Sequence, residues 1–239
     1  MEPQIIIQNY QGRHNSDLGA SANRLKNANS YKDLSAVCII PNSGTIPAIV
    51  AERWLNLQNS MNQKFIRIIL NGTEKYSAYN IAIEQILANP FLNSFKYIIT
   101  LEENIIPPFD GLLKLFEDTE KYDVVGGLIW TADIEARSMI YGNPKGIPST
   151  YTPQFPKLDT IQECNGLGTG FTLFKIDIFK NKKVPKPWFR IPFQHEQGKP
   201  YDGAPDMYFF ENIHKLGYKV ACDTRIKVGN YDAKNDIVW

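Results

Sequence analysis

The chain has 239 residues, enough for one large α/β domain with a substantial core and short for two. Hydrophobic residues make up 43% and aromatics 12%, which argues against wholesale disorder. With 26 Lys+Arg against 25 Asp+Glu the formal charge is +1, which gives no support to a protein that grips nucleic acid mainly through its phosphates.

Taken from the amino terminus, residues 11–34 are polar and poor in large apolar side chains. Residues 1–34 therefore read as an N-terminal extension, part arm and part loop, in which Ile5-Ile6-Ile7 could add an edge strand or pack locally. The stretch from Met1-Glu2-Pro3-Gln4 shows no basic region followed by a long apolar run, so no signal peptide is expected. No apolar run nears the roughly 20 residues that a membrane helix needs, and a soluble, cytoplasmic chain is the expectation. The three cysteines lie far apart with no C-x-x-C pair, which makes a zinc ribbon or thioredoxin-like site improbable and fits a reducing compartment.

From Ala36 the pattern alternates between strands and helices, so residues 35–239 are expected to form one domain. Ala36-Val37-Cys38-Ile39-Ile40 is a continuous apolar run suited to a strand buried on both faces, and it stops at Pro41-Asn42-Ser43-Gly44. Ile46, Ile49, Val50, Trp54 and Leu57 then recur at helical spacing. Phe65 to Leu70 is the next strand, halted by Asn71-Gly72, and a helix is predicted over about 77–88, ending before Asn89-Pro90. Tyr97 to Leu101 is a third strand, which runs into Glu102-Glu103-Asn104. After Pro107-Pro108 come a helix over about 110–120 and a strand over 123–129.

Three consecutive strand–helix units predict a parallel sheet, and ligands bind such sheets beyond the carboxyl ends of the strands. The three polar clusters at Pro41-Asn42, Asn71-Gly72 and Glu102-Glu103-Asn104 therefore define a nucleotide-sized site. The second half differs in kind. Residues 130–165 read as loop-rich, followed by Gly168-Thr169-Gly170, a strand over 171–174, Pro187-Trp188-Phe189 and a loop over 190–204. A helix over about 205–216 and a strand over 218–222 close the pattern. No Walker-type phosphate loop is present, and His14, His195 and His214 are scattered, with no Ser/His/Asp or metal-ligand spacing and only His195 in the 190–204 loop.

The order of these motifs over about residues 36–232 resembles the GT-A fold glycosyltransferases, in particular the compact family 2-like members. The resemblance rests on the strand into Pro41, Tyr79-Asn80-Ile81-Ala82, the acidic strand end before Ile105-Ile106-Pro107-Pro108, and Val125-Gly126-Gly127. It continues with Gly168-Thr169-Gly170-Phe171, Pro187-Trp188-Phe189, Asp206-Met207-Tyr208-Phe209 and Val228-Gly229-Asn230. It implies an α/β fold with a mostly parallel central sheet flanked by helices, and transfer of a sugar from a nucleotide-diphosphate donor to an acceptor hydroxyl. The acceptor stays open between a saccharide, a protein and a modified DNA base, and the oligomeric state is not set.

In the family an Asp-x-Asp holds Mn²⁺ or Mg²⁺ against the donor diphosphate, acting as a Lewis acid. The matching positions are Glu102 and Asn104, with Glu103 turned away by strand alternation. Asn230 stands where the family's last metal ligand is often His. One carboxylate and two amides thus replace two carboxylates and an imidazole, which implies weak metal binding. The resemblance puts Pro41, Asn42, Asn71 and Asn80 near the donor nucleotide. It also puts the Gly168-Thr169-Gly170 backbone against the transferred sugar and makes Trp188 and Phe189 an aromatic acceptor platform.

Asp206 matches the general base of inverting members, which takes the proton of the attacking hydroxyl. A retaining enzyme would leave it a substrate-binding role. Pro205 and Asp206 also suit the opening of a helix, whose positive end would keep the carboxylate ionised. Two other readings stand beside this one. A degenerate GT-A module would bind a glycan or partner without catalysis. A sugar-phosphate nucleotidyltransferase would need a Gly-rich first loop with a Lys, which Pro41-Asn42-Ser43-Gly44-Thr45 lacks.

Overall fold

A computed structural model describes residues 24, 27, 33–60, 63–145, 151–190 and 205–239. The expected N-terminal extension lies almost wholly outside these residues, as do the 191–204 loop and His195. The strands are β1 (Ala36–Asn42), β2 (Phe65–Asn71), β3 (Tyr97–Leu101), β4 (Ile105–Ile106), β5 (Val124–Leu128), β6 (Ile140–Tyr141), β7 (Ile161–Cys164), β8 (Gly166–Leu167), β9 (Phe171–Lys175), β10 (Val220–Lys227), β11 (Gly229–Asp232) and β12 (Ile237–Val238). The helices are α1 (Ala48–Leu55), α2 (Lys75–Ala88), α3 (Gly111–Glu117), α4 (Asp177–Lys180) and α5 (Pro205–Lys215).

Seven strands form the central sheet in the order β2-β1-β3-β9-β5-β10-β7. β1 pairs in parallel with β2 and β3, and β5 with β10, while β9 runs antiparallel between β3 and β5 and β7 runs antiparallel at the edge. The sheet is thus mostly parallel, as expected. The two reversed strands depart from a simple parallel reading. β7 lies in the stretch read as loop-rich, because its Ile161-Gln162-Glu163-Cys164 carries too few apolar residues to announce a strand.

β1 is buried along its whole length, and its side chains divide between two cores. Val37 and Ile39 pack with Tyr79, Ile83 and Ile86 of α2 and Phe209 of α5. Cys38 and Ile40 pack on the other face with Val50 and Trp54 of α1 and Leu112 and Leu115 of α3. Helices therefore cover both faces, the condition under which a parallel sheet is stable. All three cysteines, Cys38, Cys164 and Cys222, are buried free thiols that pack as small core residues.

Gly127 shows how tightly β5 meets its neighbour. A Cβ there would lie 2.5 Å from Val228 Cγ2 and 3.2 Å from the Ile226 carbonyl oxygen. Gly127→Val is expected to cost about 1–3 kcal/mol through overpacking, read as a lower urea midpoint with an unchanged m-value. Among the described residues no helix is long and apolar enough to cross a membrane.

Candidate active site

The parallel register sets the floor of the site. Because Asn42 and Asn71 are partners across β1 and β2, their side chains meet at the strand ends, with Asn42 Nδ2 donating to Asn71 Oδ1 at 3.0 Å. Gly72 (φ +70°) turns the chain immediately afterwards, and its amide donates to the Asn42 carbonyl at 2.7 Å. Pro41 is buried within β1. At the end of β3, Glu103 faces away from Glu102 and accepts from the Ser43 amide at 2.6 Å and the Ser43 hydroxyl at 2.9 Å. The first and third strand ends are thereby tied together.

Glu102 points into a charged cluster. Its Oε1 accepts from the Thr169 hydroxyl at 3.2 Å and the Tyr79 hydroxyl at 3.4 Å, and lies 3.3 Å from Lys75 Nζ. Asp206, at the opening of α5, is 5% exposed and accepts from the Met207 amide at 3.2 Å. Its carboxyl is pushed up to about 6. Burial is the main cause, Lys75 opposes it, and the Glu102 carboxylate adds to it. The helix end favours the ionised form, but burial and Glu102 raise the carboxyl nonetheless, and near 6 it is still mostly ionised at neutral pH.

Asp206 in turn acts on the surrounding phenols. Burial first, then the Asp206 carboxylate, pushes Tyr76 up to about 12 and raises Tyr141 above its usual value. For Lys75, burial works against the charge. The Glu102 carboxylate, Tyr76 and Asp206 outweigh it and hold the ammonium above its ordinary range. Lys75, Tyr76, Glu102, Tyr141 and Asp206 thus form one electrostatically coupled group at the carboxyl edge of the sheet.

The remaining sequence candidates separate into two sets. Asn104 and Asn230 come together because β4 and β11 pair antiparallel, and the Tyr231 amide donates to the Asn104 carbonyl at 2.8 Å. One hydrogen bond joins their side chains. Asn104 Nδ2 donates to Asn230 Oδ1 at 2.7 Å, and Asn230 Nδ2 donates to the Trp130 carbonyl at 3.0 Å. A divalent cation would therefore find one carboxylate already shared with a lysine and two neutral amides, with the Asn230 oxygen already accepting from Asn104. Among the described residues no three His, Cys, Asp or Glu side chains form a group that could hold a metal ion. This donor set does not fit a resident cation.

Asn80 does not open onto the nucleotide floor. Its Nδ2 donates to the Phe189 carbonyl at 2.7 Å and its Oδ1 accepts from the Phe189 amide at 3.1 Å, so it pins the 187–189 segment. Trp188 and Phe189 are 1% and 2% exposed. Phe189 stacks on Phe209 at 4.9 Å and Trp188 meets Phe179 edge-on at 5.6 Å, so neither ring presents a face to an acceptor. Gly168 and Gly170 have no positive φ. A Cβ would instead strike Met139 at 2.8 Å or Ile129 at 2.9 Å, so these glycines serve close packing within the chain. Thr169 between them does reach the site, through Glu102.

Lys75, Tyr76 and Tyr141 were not singled out from the sequence. A signal existed for Lys75. It is a cation in the first turn of a helix, where the dipole disfavours positive charge and where a compensating partner is to be sought.

No protein-family model matches the chain, and no curated protein does. Among solved structures the chain is similar to A197 from STIV, with a TM-score of 0.59 and 18% identity over 85% of this chain and 92% of that one. It is also similar to GalNAc-T7 crystallised with UDP, GalNAc and Mn²⁺, with a TM-score of 0.55 and 10% identity over 84% of this chain. The chain spans 44% of the GalNAc-T7 chain. Identities this low establish the architecture: the fold is that of the GT-A glycosyltransferases.

Proposed function

We propose that the chain is a nucleotide-sugar-dependent glycosyltransferase that inverts the anomeric centre, with residues 35–239 as its catalytic domain and Asp206 as its base. The observation that carries this is the coupled Asp206, Glu102 and Lys75 cluster at the carboxyl ends of parallel strands in a GT-A fold. A carboxyl near 6 suits a general base, being mostly ionised at neutral pH yet more basic than an ordinary carboxylate. In the reaction the acceptor hydroxyl gives its proton to Asp206 as its oxygen attacks the anomeric carbon. Asn42 and Asn71 line the floor against the donor nucleotide, and Thr169 and Glu102 face the transferred sugar.

The UDP and GalNAc of the GalNAc-T7 crystal make uridine diphosphate sugars the first donors to test. The expectation of Mn²⁺ or Mg²⁺ is the part that the donor set supports least. Because the base must be ionised, kcat/KM is expected to fall as pH drops through about 6, from a plateau above it. A pH–rate profile flat from 5 to 8 would remove Asp206 from that role. A non-catalytic GT-A module is favoured only by the two neutral amides, Asn104 and Asn230, where the family carries charged or imidazole metal ligands. It would bind a donor without releasing nucleoside diphosphate.

A further inference from the structure

The charge that a cation would bring to this site is already present as a side chain. Lys75 Nζ lies 3.3 Å from Glu102 and 4.4 Å from the centroid of the Tyr76 ring. Its side chain keeps 33% exposure against 16% for Glu102, while Asp206 is 5% exposed. Among the three charged groups the ammonium is therefore the one that a ligand reaches first.

Lys75 is also able to serve a further partner. An ammonium carries three donors; Glu102 takes one and the Tyr76 hydroxyl a second, which leaves one for a ligand. Glu102 in turn does not depend on Lys75 alone, since the Tyr79 and Thr169 hydroxyls reach the same oxygen. Lys75 could share or leave this carboxylate without orphaning it. The amide pair Asn104–Asn230 offers no competing charge, and Asn42 and Asn71 at the neighbouring strand ends are neutral.

Resting on the glycosyltransferase reading above, we infer that Lys75, rather than a divalent cation, is the positive charge that receives the departing nucleoside diphosphate. The acceptor oxygen bonds to the anomeric carbon as the bond from that carbon to the diphosphate's terminal oxygen breaks. The bonding pair stays on that oxygen, where the Lys75 ammonium donates a charge-assisted hydrogen bond, and the acceptor proton passes to Asp206.

The test is calorimetric binding of UDP, GDP, CDP, dTDP and ADP to the full chain, in EDTA and in Mn²⁺, for wild type, Lys75→Met and Lys75→Arg. Wild type is expected to bind at least one diphosphate equally well in both buffers. Lys75→Met is expected to weaken that binding about 10-fold or more in EDTA, the loss of one charge-assisted hydrogen bond. Lys75→Arg should keep most of it, and the matching nucleoside should bind wild type and Lys75→Met alike. Where a donor turns over, kcat of Lys75→Met in EDTA should fall on the order of 100-fold.

Wild-type binding that requires Mn²⁺ would overturn the inference, as would Lys75→Met binding the diphosphate as tightly as wild type. A loss of nucleoside and diphosphate together would assign Lys75 a structural role instead. The wild-type comparison of the two buffers decides the metal question even if Lys75→Met fails to fold. If no diphosphate binds wild type in either buffer, the glycosyltransferase reading itself falls and the inference falls with it.

Discussion

Asp206→Asn is expected to lower kcat by about 10²–10⁴-fold, the contribution of a positioned general base, while donor binding stays intact. The amide keeps the shape of the carboxylate and can still accept from the Met207 amide, but it cannot take the acceptor's proton. The same substitution should leave the fold no less stable above pH 7. Asp206 has its carboxyl raised from 3.8 to about 6 in the folded chain, so folding disfavours the ionised form. The sign follows: the cost is absent below about 4, grows as pH rises through 6, and is constant above. A shift of this size is worth about 3 kcal/mol, offset in the variant by the loss of Lys75's second carboxylate. Melting curves at pH 5 and pH 8 check this, with the variant gaining on wild type at the higher pH. A variant that loses both activity and several degrees at pH 8 would mark Asp206 as structural.

Lys114→Met is expected to cost about 3–5 kcal/mol, the largest stability effect of any single change considered. Lys114 Nζ lies 2.9 Å from Asp110 Oδ2, and their side chains are 5% and 0% exposed. Both charges sit behind the site, on α3 and the residue before it. Removing the ammonium takes the opposite charge away from a carboxylate whose side chain is fully buried. The double variant Asp110→Leu/Lys114→Met should recover much of the loss, because two apolar groups of similar volume need no partner. Thermal melts of the single and double variants give the measurement. Equal melting of Lys114→Met and wild type would show that the pair contributes nothing net.

The strands that carry the site were legible because their apolar runs end abruptly in polar residues. The apolar runs bound β1, β2 and β3 to within two residues and place Asn42, Asn71 and Glu102 at or next to their ends. Strand order was less accessible. Nothing in the period of Phe171–Lys175 says that it inserts antiparallel between β3 and β5, since that choice is made by side chains more than 40 residues away. α2 starts at Lys75, two residues before the apolar spacing predicts. Glu74 caps Ser77 with its side chain, a signal less familiar than Ser or Asp, and the offset hid Lys75 and Tyr76.

Aromatic residues carried the same ambiguity. Trp188 and Phe189 suit an exposed platform or a core equally well from composition, and only Phe209 and Phe179 decide for the core. The direction of the Asp206 shift could not come from its neighbours in sequence either. A helix amino-terminus alone would lower it, whereas burial and Glu102, 104 residues distant, raise it. Local sequence located the site, but its charge balance is a property of the packed chain.

Cleavage of a nucleotide sugar with Asp206 as the base is the activity proposed for this site. The most direct measurement is release of nucleoside diphosphate from a panel of UDP-, GDP-, CDP- and dTDP-sugars at pH 8, with water or an added acceptor, by wild type and Asp206→Asn. Turnover of at least one donor by wild type, and its near loss in the variant, is the predicted result. Absence of binding and turnover with every donor, or equal turnover by the two proteins, would contradict it.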